Sequence, residues 1–236
     1  MSLTIESTKG ISERAIVVEV VSKVIENPKV LLIISQVFSA YNKNTVSKEE
    51  IDSYIESSFN NPKFDLSAEY KEELMSNLKT IYNYGIDDFN NVRSEILENI
   101  VYHFGPCTIS VKKDKVYVEP VIKDNDYIVG ESDIKCDIVF FSSATTPIEF
   151  IECKTNIGNI IPRNLPFDKI KTSHQRKINY LNSAYHYIKD NYCEPYIYFA
   201  CYNLNYELEL QNLQKNWGYF YMDFINASEI IEGKIT

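Results

Sequence analysis

Two acidic side chains and one lysine stand out because their types and spacing suit metal-dependent hydrolysis. Asp137 lies in one apolar run rich in β-branched residues, and Glu152 and Lys154 lie at the end of the next such run. A strand places alternate side chains on one face, so Glu152 and Lys154 point together while Cys153 points away. If the two runs pair as an antiparallel hairpin, Asp137 lies opposite Glu152, and the three charged groups converge at a sheet edge.

Burial of such a trio without a partner is costly, because an uncompensated charge destabilises a protein interior strongly. A divalent cation offsets that cost, and Mg²⁺ prefers carboxylate, carbonyl and water oxygens. We therefore predict a Mg²⁺ site, in which Mn²⁺ can substitute, formed by Asp137, Glu152 and the carbonyl of Cys153. Lys154 would hold a water beside the metal and help to deprotonate it, which suits attack on a phosphate.

The spacing of an acid two residues before a lysine is common, so its context decides its meaning. It also occurs at residues 69–71, inside a predicted helix, and at 133–135, at the start of a strand. Two positions apart on a helix do not face each other. Residues 133–135 lack a well-placed earlier strand that carries a carboxylate, so only Glu152 and Lys154 have the full context. The alternative is a surface ion pair at a strand end, which contributes little to stability.

The elements that position these residues begin with an amphipathic helix over Asp87–Phe104, ended by a Gly-Pro pair. β-Branched runs then predict four strands, at Cys107–Lys112, Lys115–Ile122, Ile134–Phe141 and Pro147–Cys153. The remaining predictions are a helix, a strand, a helix and a strand, over Phe167–Asp190, Tyr196–Tyr202, Tyr206–Gln214 and Gly218–Met222. This order predicts an α/β fold with a mixed sheet flanked by helices.

Residues 1–86 are predicted to form a helical N-terminal region. Apolar residues recur at helical spacing from Ile16 and from Val30, Ser47 has the position of a helix cap, and a further helix covers Ser67–Tyr84. These helices are rich in acidic side chains, whereas a helix that reads DNA needs basic side chains. Packing support or dimerisation is therefore favoured over DNA contact for this region.

The segment from Cys136 to Lys154, with its neighbouring elements, resembles the PD-(D/E)xK nuclease superfamily, which includes restriction endonucleases, resolvases and repair nucleases. The resemblance covers roughly residues 87 to 223, and Cys136 stands where the family has proline. It implies a restriction-endonuclease-like domain over residues 87–236, with Asp137, Glu152 and Lys154 as catalytic residues, Mg²⁺ as cofactor and DNA as substrate.

The resemblance also implies an acid from the first helix of the core. Glu95 and Glu98 are candidates, and Glu95, which fits the family spacing better, is taken as a fourth catalytic residue. Arg93 lies on the apolar side of the same helix. It either buries its stem there or reaches the cleft and contacts phosphate, and it is included among the DNA-binding candidates. A solvated helix face explains both acids equally well.

Basic side chains are concentrated directly after the proposed site, in an otherwise acidic chain. Contacts with a phosphate backbone are expected there. The predicted DNA-binding residues of this stretch are Arg163, Lys169, Lys171, Gln175, Arg176 and Lys177. Gln175 resembles the glutamine of RecB-like nucleases, but Tyr180 follows five residues later rather than four, so that branch is not assigned. A solvated helix face is the alternative for each of these residues.

Composition excludes several classes of protein. A net charge of −9 disfavours non-specific coating of nucleic acid. Five cysteines without a CxxC pair and three scattered histidines indicate reduced thiols rather than a disulfide frame or a zinc site. Apolar runs such as Val30–Ile34 are far shorter than the roughly 20 residues of a membrane span. We expect a cytoplasmic protein that does not contact membranes.

These observations together predict a Mg²⁺-dependent DNA endonuclease similar to type II restriction enzymes. Such enzymes cut two strands, and two-fold symmetry makes a homodimer the natural assembly. A repair or recombination nuclease, such as a resolvase or a RecB-like exonuclease, is an alternative. A catalytically inactive nucleic-acid-binding module of the same fold is a second alternative.

Overall fold

The computed structural model describes residues 3–130 and 133–233, and within them the chain has the predicted α/β class. Its helices are α1 (Ala15–Glu26), α2 (Val30–Ala40), α3 (Lys48–Phe59), α4 (Ala68–Tyr82), α5 (Ile86–Phe104), α6 (Thr172–Asn191), α7 (Glu207–Gln211) and α8 (Ala227–Glu232). Its strands are β1 (Leu3–Glu6), β2 (Val116–Val118), β3 (Val121–Asp124), β4 (Tyr127–Ile128), β5 (Ile138–Phe140), β6 (Glu149–Lys154), β7 (Tyr196–Cys201) and β8 (Met222–Ile225).

Five of the strands form a mixed sheet in the order β2-β5-β6-β7-β8. β5 and β6 pair antiparallel with Ile138 opposite Ile151, which confirms the predicted hairpin. β6, β7 and β8 run parallel, and α6 makes the crossover from β6 to β7. Parallel pairing brings Lys154 beside Cys201, so the C-terminal ends of β6 and β7 lie at the same end of the sheet.

Helices cover both faces of this sheet and divide the core into two layers. On one face, α5 and the N-terminal helices pack against Ile138 and Ile151. On the other face, α6 packs against Val139 and Phe150. Because side chains alternate along β6, Glu152 shares the face of Phe150 and points towards α6. None of the helices in the described ranges has the length and apolar composition to cross a membrane.

The predicted N-terminal helices are present as α1 to α4. The Ser47 hydroxyl accepts a hydrogen bond from the Glu50 amide, and the Ser67 hydroxyl accepts one from the Tyr70 amide. These caps fix where α3 and α4 begin, because they satisfy amides that have no partner within the helix. α1 lies directly against α5, so the N-terminal helices share their core with the sheet.

The strand predicted over Cys107–Lys112 is wrong, because this segment forms mainly turns. The Glu149 carboxylate accepts hydrogen bonds of 2.8 Å from the amides of both Cys107 and Thr108. Glu149 is completely buried, and burial raises the pKa of its carboxyl. The β-branched run forms no strand of the sheet, since a buried carboxylate takes the amides that a ladder would need.

The strand predicted over Lys115–Ile122 is divided into β2 and β3, which belong to different sheets. The break falls at Glu119, whose φ is 42°, and at Pro120, which has no amide hydrogen to donate. β3 pairs antiparallel with β1 and β4 in a second, three-stranded sheet. We predicted neither β1 nor β4, which are only four and two residues long.

The helix predicted from Phe167 begins five residues later, at Thr172. Residues Phe167–Lys169 form a separate 3-10 turn, in which the Phe167 ring contacts the rings of Trp217 and Tyr219. These ring contacts hold the turn against the end of α7, which continues as a π-helical turn over Asn212–Asn216.

The last predicted strand, Gly218–Met222, is displaced towards the C-terminus and is found as β8. Gly218 has a φ of 86°, which is incompatible with an extended strand. α8 follows β8 directly and had no counterpart among the predictions. Asn226 and Glu229 form its capping box, which is a signal that the sequence carries.

Candidate active site

The three charged residues singled out in the sequence converge at one end of the sheet. Lys154 Nζ lies 2.6 Å from Glu152 Oε1 and 3.7 Å from Asp137 Oδ2. Asp137 Oδ2 also accepts a 2.7 Å hydrogen bond from the Cys153 amide, which joins the start of β5 to the end of β6. Both carboxylates contact the same ammonium, so the hairpin brings them to one centre.

A second lysine belongs to this cluster. Lys177 Nζ, on α6, donates a 2.9 Å hydrogen bond to Glu152 Oε2 and another hydrogen bond to the carbonyl of Lys135. Glu152 is completely buried, and each of its two oxygens faces a different ammonium group. Lys177, predicted as a DNA contact, therefore also compensates the charge of the buried carboxylate.

Burial and neighbouring charges set the protonation of the cluster. Burial raises the pKa of Asp137, and the Glu152 carboxylate raises it further. Burial also acts to raise the pKa of Glu152, but Lys154 and Lys177 outweigh burial and hold that pKa below its ordinary value. Burial acts to lower the pKa of Lys154, yet the two carboxylates shift it upward overall. Lys154 is therefore an ammonium at neutral pH and can hold an oxygen without accepting a proton.

The oxygens predicted as magnesium ligands surround the Lys154 ammonium. Cys153 O accepts a 3.0 Å hydrogen bond from Nζ, beside the contacts to Asp137 and Glu152. Glu152 Oε1 is buried, and Lys154 Nζ, at 2.6 Å, is the group that compensates its charge. Among the residues that the structure describes, no group of three or more His, Cys, Asp or Glu side chains could hold a metal. Since Mg²⁺ is usually held by one or two carboxylates with waters and substrate phosphates, this smaller donor set still fits Mg²⁺.

A surface pocket of about 330 Å³ opens beside Asp137. Three acids, three bases, a serine and an isoleucine line it: Glu119, Asp133, Asp137, Lys135, Arg176, Lys177, Ser173 and Ile134. Arg176 lies at the pocket wall, 3.0 Å from Asp133. An anionic ligand in this pocket would meet ammonium and guanidinium groups next to Asp137.

The acid that α5 brings towards this cluster is Glu98 rather than the predicted Glu95. Glu95 Oε2 accepts a 2.7 Å hydrogen bond from Ser12 and lies 3.3 Å from Arg14 Nε. Glu98 lies close enough to Asp137 for their negative charges to repel. Burial, followed by this repulsion, raises the pKa of Glu98 to about 7. We therefore replace Glu95 with Glu98 as the helical acid of the candidate site.

The raised pKa of Glu98 makes the stability of the protein depend on pH. Between pH 4.5 and 7 the folded protein keeps a proton that the unfolded chain has released, so stability falls as the pH rises through this window. Glu98→Gln removes this titration and is expected to raise the free energy of unfolding at pH 8 by at most about 3 kcal/mol. Urea denaturation at pH 4.5 and pH 8, with EDTA present, measures the difference.

Glu95→Gln is the matched control for that measurement, because it removes the same charge one turn earlier on α5. Its carboxylate is paired with Ser12 and Arg14, so this variant should be slightly less stable than the wild type at pH 8. Equal stability of Glu98→Gln and the wild type at pH 8 would contradict the assignment of a partly buried carboxyl with a raised pKa.

Arg93 lies in the interior, with an exposed fraction of 1%, and not in the cleft. Its guanidinium donates hydrogen bonds of 2.8 Å and 3.0 Å to the carbonyls of Phe38 and Asn42, at the end of α2. It also lies over the rings of Phe38 and Phe89. The prediction that Arg93 contacts DNA is therefore wrong, because its guanidinium is buried and donates its hydrogen bonds to carbonyls at the C-terminal end of α2 instead of to a phosphate.

Three predicted DNA contacts lie in the loop before α6. Lys169 and Lys171 are exposed, and Lys169 is 3.4 Å from the equally exposed Asp168. Arg163 Nε lies 2.9 Å from the buried carboxylate of Glu209 and so anchors the loop to α7. The two lysines keep their charge at the surface, whereas part of the Arg163 guanidinium is used within the protein.

The other two predicted contacts lie in the first turns of α6. Gln175 Nε2 donates a 2.9 Å hydrogen bond to the carbonyl of Ile170, which holds the start of the helix. Arg176 is exposed at the pocket. The geometry thus favours Arg176 as a ligand contact and gives Gln175 a structural role.

Sequence reasoning missed Lys9 and Glu119. Lys9 Nζ lies 2.7 Å from Glu119 Oε1 and 3.5 Å from Glu98 Oε2, and Glu119 lines the pocket. Lys9 and Glu98 are 89 residues apart in the chain and belong to no common motif. The one available signal was the Glu119-Pro120 pair, which marks a break in a β-branched run.

A function for this cluster has to follow from its own residues and distances. The chain matches no protein-family model, and no curated protein matches it.

Proposed function

We propose that the protein is a Mg²⁺-dependent DNA endonuclease with a restriction-endonuclease-like fold. Asp137, Glu152 and the carbonyl of Cys153 would hold the metal, and Lys154 would hold the attacking oxygen. The observation that carries this proposal is the convergence of Asp137, Glu152 and Lys154 at one end of the hairpin, beside a pocket that presents three basic side chains as well as three acids.

The order of the elements around the sheet supports the same proposal. With β3 and β4 assigned to the second sheet, the elements that build the main sheet follow the order α5-β2-β5-β6-α6-β7. The superfamily resembled by the sequence has a core of the order α-β-β-β-α-β. Asp137 directly precedes the second of these three strands, and Glu152 and Lys154 lie at the end of the third.

The chain's own groups divide the work of hydrolysis between them. Bound Mg²⁺ would supply Lewis-acid polarisation of the phosphate and a more acidic water. The Lys154 ammonium holds a water or a phosphate oxygen and stabilises negative charge that develops during attack. Lys177 fixes the Glu152 carboxylate, while Lys135 and Arg176 orient the phosphate backbone at the pocket.

A second candidate function is a nucleic-acid-binding module without catalysis. It is favoured by the two ammonium groups that already compensate Glu152, and by the lack of a three-side-chain metal cluster among residues 3–130 and 133–233. Such a module would bind DNA through the basic residues of the pocket and would not need a metal.

Cleavage of DNA by the wild-type protein tests the proposal. Supercoiled and linear DNA, and RNA for comparison, are incubated with Mg²⁺, Mn²⁺ or EDTA, and the products are separated by electrophoresis. We expect cleavage with either metal and none with EDTA. DNA binding without any cleavage of DNA or RNA would support the binding module instead and overturn the enzymatic proposal.

A further inference from the structure

A strained residue lies at the wall of the candidate pocket. Glu119, between β2 and β3, has a φ of 42°, in the left-handed region that residues other than glycine rarely adopt. Such a conformation costs free energy and persists only where surrounding contacts impose it. The residues that hold Glu119 in place therefore influence the geometry of the pocket.

Residues from the N-terminal segment provide these contacts. The Ser7 hydroxyl accepts a 3.0 Å hydrogen bond from the Val118 amide, and the Thr8 amide donates a 3.3 Å bond to the Val118 carbonyl. The Thr8 hydroxyl donates a 2.7 Å bond to the Glu119 carbonyl. Lys9 then pairs with the Glu119 carboxylate at 2.7 Å. Backbone and side chain of Glu119 are thus both held by this segment.

Glu119 in turn holds Asp137. Its amide donates a 2.9 Å hydrogen bond to the carbonyl of Asp137, at the point where β5 begins. Lys9 also reaches Glu98, on α5, at 3.5 Å. The Lys9 ammonium therefore lies between two acids that border Asp137, one from α5 and one from the end of β2.

We infer that Lys9 is a positioning residue, which fixes Asp137 by holding Glu119 in its left-handed conformation and tying Glu119 to Glu98. The consequence for catalysis depends on the proposed nuclease function, whereas the consequence for the backbone of Glu119 and Asp137 does not. The N-terminal segment is on this view part of the active site, although it carries no metal ligand.

The kinetic test compares Lys9→Gln with Lys9→Arg and with Lys123→Gln. Lys123 pairs with Glu6 at 3.3 Å and joins the same segment to β3, so its loss weakens the segment without removing the Lys9 contacts. We expect Lys9→Gln to lower kcat about tenfold with an unchanged KM, because misplacing a reacting group by a fraction of an ångström slows chemistry. Lys9→Arg and Lys123→Gln should keep kcat near the wild-type value.

A wild-type kcat in Lys9→Gln would overturn the inference. So would an effect on KM alone, because Lys9 would then be a substrate contact. Amide hydrogen exchange gives a readout that does not require cleavage. The amides of Glu119 and Cys153, which bond to the Asp137 carbonyl and carboxylate, should exchange faster in Lys9→Gln but not in Lys123→Gln. If the wild type cuts nothing, the proposed function fails, and this exchange pattern alone decides the positioning role. Equal exchange in the two variants would overturn it.

Discussion

Replacing Lys154 with alanine is expected to lower the kcat for DNA cleavage by about a thousandfold, which is within the range for losing a positioned catalytic group. Its ammonium lies against Glu152, Asp137 and the carbonyl of Cys153. No other side chain in the described part of the chain contacts all three oxygens, so none can replace it. The Kd for DNA should stay close to that of the wild type, because the basic pocket residues are unchanged. Single-turnover cleavage and fluorescence anisotropy measure the two quantities.

The fold of the Lys154→Ala protein must be checked, because Glu152 then keeps only one of its two ammonium partners. Lys177 remains on Glu152 Oε2, so we expect the free energy of unfolding to fall by on the order of 2 kcal/mol and the protein to be still folded at 25 °C. Lys169→Ala, at an exposed lysine of the nearby loop, is the matched control and should keep the wild-type kcat. A folded Lys154→Ala protein that cleaves at the wild-type rate would overturn the assignment of the site.

Replacing Arg93 with alanine is expected to lower the free energy of unfolding by about 3 kcal/mol, through a cavity and two carbonyls left without their donors. Those carbonyls belong to Phe38 and Asn42, and the guanidinium also fills the space between the Phe38 and Phe89 rings. Urea denaturation at constant m-value measures the change. At temperatures where the variant is folded, its affinity for DNA should be unchanged.

Arg14→Ala is the control for Arg93→Ala, because Arg14 is a partly exposed arginine in surface ion pairs with Asp88 and Glu95. Its loss should cost less than about 1 kcal/mol. Arg93→Lys should be intermediate, since a single ammonium does not match the fork that serves two carbonyls. Equal destabilisation by Arg93→Ala and Arg14→Ala would show that the buried guanidinium adds nothing to stability.

The part of the site that could be predicted is the part encoded by local periodicity. Glu152 and Lys154 share a face because strand side chains alternate, and Asp137 lies opposite them because a short polar turn joins two strands. The helices of the N-terminal half were equally accessible, since their apolar spacing and serine caps are local signals. None of these features needs information about how distant elements pack.

The residues that were misplaced depend on packing between distant elements. Glu95 and Glu98 are three positions apart on one helix, and only the docking of α5 decides which of them approaches Asp137. The sequence places Arg93 on the apolar side of its helix, but the carbonyls that accept its hydrogen bonds are 51 and 55 residues away in the chain. The failed strand at residues 107–112 has the same cause, because the Glu149 carboxylate that captures its amides comes from β6.

The hydrogen bond from Thr8 to Glu119 spans 111 residues, and this has a consequence for the newly made chain. At roughly 5 to 20 residues per second, a ribosome needs roughly 6 to 22 seconds to add the intervening stretch. During that interval α1 to α4 can condense, while the N-terminal segment has no partner at Glu119. The pocket is completed only after β6 and α6 have also been translated, so any hydrolytic activity begins late in synthesis rather than on a half-made chain.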